Sequence, residues 1–134
     1  MAMGMPQLRL GDGEAWLELV QVGEDRWRVA ADWCSSLSAD YPAHLTREEA
    51  ADFAARMLSH LRAPSGSRFW EAVTPGRNNP LALGAEPVGD GFAFFARLTP
   101  NGDDEVCHLQ MEIDPIDAVE LRDTFDAFRA SLAL

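Results

Sequence analysis

The chain contains no lysine. Its 11 basic residues are all arginine, set against 22 acidic ones, for a formal charge of −11. Without lysine there is no Schiff-base chemistry and no phosphate-binding P-loop lysine. Two cysteines, Cys34 and Cys107, are too few for a secreted disulfide scaffold and read as free thiols in a reducing compartment. No stretch approaches the roughly 18–20 apolar residues of a membrane span. Met1 to Pro6 carries neither a basic n-region nor an apolar h-region, so a signal peptide is not expected and a cytoplasmic location is. The patterns G-x-S-x-G, H-E-x-x-H and C-x-x-C are also missing. No catalytic residue, metal site or cofactor is therefore expected. An enzyme would have to work with scattered carboxylates and three histidines.

What is present is an ordinary globular composition, 47% apolar over 134 residues, which by length predicts one domain spanning 1–134. The acids run along the whole chain, so a folded surface carries them. Such a surface repels nucleic acid and attracts basic partners. The composition thus argues against nucleic acid and membrane as partners and for a basic protein; a homodimer stays open. Exclusive use of arginine, with many Ala, Gly and Asp, suggests coding bias in a GC-rich bacterial genome.

Hydropathy patterning predicts an α+β fold. Residues 7–10 are a short strand candidate, and after the turn Gly11-Asp12-Gly13 residues 14–22 alternate, with Ala15, Leu17 and Leu19 on one face and Trp16, Glu18 and Val20 on the other. After the turn Gly23-Glu24-Asp25, residues 26–35 alternate again, with Trp27, Val29, Ala31 and Trp33 on one face. Residues 36–45 are irregular. Thr46 and Glu49 form a capping box ahead of Ala50, Phe53, Ala54, Met57, Leu58 and Leu61, which predicts a helix over about 46–62. A loop-rich stretch over 63–80 follows, interrupted by Phe69-Trp70. The runs 81–88, 92–98 and 105–113 read as strands, the last two joined by a hairpin at Asn101-Gly102. Asp114-Pro115 reads as N-cap and N1 of a second helix, about 115–132. The expectation is an antiparallel sheet of about five or six strands with both helices on one face, built from two loose units of hairpin plus helix.

Some acids have dull duties in this reading: Glu49 and Asp114 cap helices, and Asp52 pairs with Arg56 one turn away. His108 and Glu112 share a strand face but lie roughly 13 Å apart, too far to share a metal. A remainder has no visible partner. It comprises Asp103, Asp104 and Glu105 at the hairpin, and Glu120, Asp123 and Asp126 on the outer face of the last helix, where Ile116 and Val119 sit among them. These are the candidate partner-binding residues, because an acidic, partly apolar face suits a basic partner. Tyr41 and Trp70 are the candidate aromatic anchors.

The stretch Ala31-Asp32-Trp33, then Leu45-Thr46-Arg47-Glu48-Glu49 and an amphipathic helix, resembles the small bacterial immunity proteins of polymorphic toxin systems (WapI-like families). Those proteins pair a D-W element ending a strand with an L-T-x-E helix start. The strands 92–98 and 105–113 and the helix after Asp114 resemble their strand–strand–helix ending. The resemblance implies a cytosolic, non-catalytic protein that binds and neutralises a cognate toxin domain. Two alternatives stay open. One is a small-ligand or enzymatic domain with a pocket lined by Trp16, Trp27 and Trp33. The other is a subunit or adaptor of a larger bacterial assembly, using the strand face of Phe95 and Val106.

Overall fold

In a computed structural model the described residues are 5–63, 66–75, 78–100 and 109–132. Four strands come first: β1 (Gln7–Asp12), β2 (Ala15–Gly23), β3 (Arg26–Trp33) and β4 (Leu37–His44). Helix α1 (Arg47–Arg62) follows. The order then repeats with β5 (Phe69–Ala72), β6 (Leu81–Val88), β7 (Gly91–Leu98), β8 (Leu109–Asp117) and α2 (Ala118–Leu132). Each set of four strands is an antiparallel meander, β1-β2-β3-β4 and β5-β6-β7-β8.

The expected single sheet of five or six strands, with both helices on one face, is therefore corrected to two sheets of four strands and two helices. Two weakly patterned segments hide the extra strands. In β4 only Tyr41 and Ala43 are buried, and Pro42 cannot donate to a ladder, which suits its position on an edge. β5 is four residues long, with all four half-buried, so no alternation shows. Consecutive strands pair with each other within each meander, and α1 separates the two.

The second helix also begins later than Pro115. β8 continues to Asp117, and the Asp117 carboxylate accepts from the amides of Val119 and Glu120, so Asp117 is the cap. Asp114 and Pro115 instead end the edge strand, where a missing N–H costs nothing. The first helix starts as its sequence predicts: Thr46 Oγ1 accepts from the Glu49 amide and Glu49 Oε1 accepts from the Thr46 amide.

One apolar cluster draws on both meanders. The inner positions Leu8, Leu10, Leu17, Leu19, Trp27 and Val29 come from the first sheet, and Leu81, Leu83, Phe92, Phe94, Met111 and Ile113 from the second. α1 packs on α2 and β5, while α2 packs on β1, β7 and β8. Edge-to-face rings tie the layers: Trp27 meets Phe128 at 6.1 Å and Phe53 meets Phe125 at 6.3 Å. The sheets touch where β8 lies against β1 and β2. At their far sides the Tyr41 hydroxyl donates to the Pro80 carbonyl at 2.6 Å, joining β4 to the segment before β6.

Candidate functional site

At the junction of the sheets, the β1–β2 turn faces the end of β8 and the start of α2. A cleft of about 190 Å³ opens there. Four exposed carboxylates line it: Asp12 from the turn, Asp114 and Asp117 from β8, and Glu120 from α2. The lining cation among the described residues is Arg9. It is bound to Glu18 at 2.7 Å, with its guanidinium 4.6 Å from the Trp16 ring centroid.

Gly11 shapes this cleft. Its φ is +79°, and a Cβ there would lie 2.3 Å from the Ala15 carbonyl oxygen and 2.8 Å from Ile113 Cγ2. Only glycine lets the turn fold back while β8 passes so close. The bend brings Asp12 to the D-P-I-D segment. Carboxylates in such numbers repel one another, and a cation entering the cleft relieves that repulsion. Carboxylates only accept hydrogen bonds, and they take a guanidinium in bidentate fashion. Among the described residues, no group of three or more His, Cys, Asp or Glu is placed to hold a metal ion.

The predicted partner-binding residues divide in this frame. Glu120 lies in the cleft. Asp123 is exposed on α2. Asp126 pairs with Arg62 of α1 at 2.6 Å, so it is not partnerless; the pairing joins two helices that are distant in sequence. Asp103, Asp104 and Glu105 fall outside the described residues. Tyr41 does not present itself as an anchor: it is 9% exposed and its hydroxyl is bound to Pro80. Trp70 is half-buried on the outer face of β5, where its ring covers Gly84 and lies 6.3 Å from Phe95. Sequence reasoning misses Asp12, Asp114 and Asp117 as site residues. Each has a local duty as turn, cap or first-turn acid, and only the meeting of the sheets brings them together.

The tryptophans do not line a common pocket. Trp27 points inward, Trp16 sits on the outer face of the first sheet, and Trp33 is 39% exposed at the end of β3. Arg56 does not pair with Asp52; it donates to Glu71 at 2.6 Å and to the Ala72 carbonyl. His60 bonds the other oxygen of Glu71 at 2.8 Å and stacks on Phe69 at 4.1 Å. This group fastens the short edge strand β5 to α1.

A second distinctive surface is the outer face of β5–β7. The Arg68 guanidinium lies 4.1 Å from the Phe95 ring centroid, and that of Arg97 lies 5.3 Å from the Trp70 ring. Arg68 also pairs with Glu86, and Arg97 donates to Gln110.

No protein family and no curated protein matches the chain. Among solved structures it is similar to WHY3 from Arabidopsis thaliana, with 14% identity over 98% of this chain and 89% of that one, at a TM-score of 0.48. The exclusion of nucleic acid as a partner, drawn from net charge, is withdrawn. The physical reason lies in the distribution of charge. A net charge is a sum over the whole surface, whereas Arg68 and Arg97 gather on an aromatic face apart from the acidic cleft. No helix among the described residues is long and apolar enough to cross a membrane.

Proposed function

We propose that the chain is a non-catalytic binding protein whose acidic cleft receives a cationic segment of a partner protein. Its most concrete form is a cytoplasmic immunity protein that neutralises a cognate basic toxin domain. The observation that supports this reading is the convergence of Asp12, Asp114, Asp117 and Glu120 on one cleft. The arginine that lines it, Arg9, is already engaged by its register partner on β2, the Glu18 carboxylate. Asp12, Asp114 and Glu120 are thus left to an incoming cation, while Asp117 caps α2. Oppositely charged surfaces speed encounter and fix orientation, which is what an inhibitor of a basic domain needs.

Titration with a polyarginine peptide tests this reading. Wild-type protein is expected to bind it, and the variant D12N/D114N/E120Q is expected to bind about tenfold more weakly or worse, since close charge pairs are each worth about a kcal/mol or more. Asp117 stays intact because it caps α2. Equal binding by both proteins, or none by either, rejects the cleft as the site.

A second reading is supported by the outer face of β5–β7. Guanidinium planes over aromatic rings make a surface on which single-stranded nucleic acid can stack. The same titration with a single-stranded oligonucleotide separates the two: binding that is lost in Trp70→Ala and kept in the cleft variant favours this second face.

A further inference from the structure

The outer face of the first sheet is covered by neither helix. Cross-strand register sets its side chains in rows. One row reads Arg9, Glu18, Ala30, Asp40 from β1 to β4. The next reads Gln7, Val20, Arg28, Pro42. Val22 stands beyond them, 53% exposed. The charged residues of this face are Arg9, Arg26 and Arg28 against Glu18, Asp32 and Asp40, so their charges cancel. Arg9 pairs with Glu18, and Arg28 makes a two-pronged pair with Asp40. In a molecule of charge −11 this face adds no net charge of its own against a second copy.

The first row is also self-complementary. It carries a cation at the β1 edge and an anion at the β4 edge. Two such faces related by a two-fold axis parallel to the strands, between β2 and β3, place β1 of one copy over β4 of the other. Arg9 of each copy then lies opposite Asp40 of its mate, twice per pair, while Val20 lies opposite the stem of Arg28. Sheets packed face to face sit about 10 Å apart, within reach of an arginine side chain.

We propose that the chain self-associates through this face, as a symmetric dimer in which Arg9 of each copy pairs with Asp40 of the other. Four strands at the usual spacing make a patch only about 19 Å wide, so the dimer is weak and transient.

Sedimentation velocity over a concentration series at physiological salt tests the proposal. The wild type is expected to move from 14.7 kDa toward twice that mass as concentration rises. Arg9→Asp and Asp40→Arg are each expected to remain monomeric, because each sets like charges opposite one another. The double variant R9D/D40R restores opposite charges and is expected to dimerise again. Both positions are exposed, and circular dichroism verifies that the variants fold. A wild type that stays monomeric at high micromolar concentration overturns the proposal and leaves the face to a different partner. Single variants that still dimerise overturn it as well, because the contact then lies elsewhere.

Discussion

The two halves of the molecule run through the same elements in the same order, yet they spend their side chains differently. The inner face of the first sheet is mainly aliphatic, with Leu8, Leu10, Leu17, Leu19 and Val29, and has Trp27 as its largest ring. The inner face of β7 in the second is aromatic, with Phe92 and Phe94. The outer faces diverge further. The first carries ion pairs laid across the strands, Arg9 with Glu18 and Arg28 with Asp40. The second carries arginines lying on rings, Arg68 on Phe95 and Arg97 on Trp70. The inner faces answer to one shared core and must fit each other. The outer faces answer only to water or a partner, so they are free to specialise.

The strongest way to break this comparison is to ask whether the halves are separable. Phe125 of α2 is fully buried against Phe53 of α1, so it belongs to both. Phe125→Ala is expected to cost about 3–5 kcal/mol, the usual range for removing a core phenylalanine. Urea unfolding should show one transition moved to lower denaturant with an unchanged slope. Two separated transitions would mean that the halves unfold independently.

Where the sequence is legible, one physical signal dominates. α1 declares itself through its capping box and its six buried positions. β2, β3 and β7 declare themselves through alternation of apolar residues. β4 and β5 stay hidden because each shows little pattern, β4 burying only Tyr41 and Ala43 and β5 having four half-buried residues. The start of α2 is ambiguous because Asp114-Pro115 and Asp117 are both good helix openings. Tertiary pairing decides between them, with Phe92 in register with Ile116 and Gly91 with Asp117. The cleft is out of reach for the same reason. Asp12 and Glu120 are far apart in sequence, and no local pattern states that β1 meets β8.

Two glycines sharpen the contrast between the sheets. Gly11→Ala places a Cβ against backbone, in a conformation with positive φ, and the expected loss is about 2–3 kcal/mol. Gly84→Ala places its Cβ 2.7 Å from the Trp70 ring, which is half-buried and can tilt away. Its expected loss is about 1 kcal/mol, accompanied by a change in tryptophan fluorescence. Chemical denaturation of both variants checks the order, and a larger loss for Gly84→Ala would reverse the view that the first turn is the less yielding of the two.

The smallest effect concerns the ion pair on the first outer face. The Arg28 side chain, by hydrogen bonding to the carboxylate, holds Asp40 below the ordinary aspartate value of 3.8. A carboxyl whose folded pKa is lowered stabilises the fold at pH values above its unfolded pKa. That contribution is present above 3.8 and is lost as pH falls through the lower folded value. Both partners are exposed, so water and salt screen the pair and the gain is slight. Asp40→Asn is therefore expected to be marginally less stable than wild type at neutral pH. The two should become indistinguishable once the pH is low enough to protonate the folded carboxyl. Thermal unfolding of both proteins across that range, at low and high salt, measures the difference. A gap that widens on acidification would show that Asp40 does not act through its charge, and the pairing of outer-face ions across the strands would then be incidental to the first sheet.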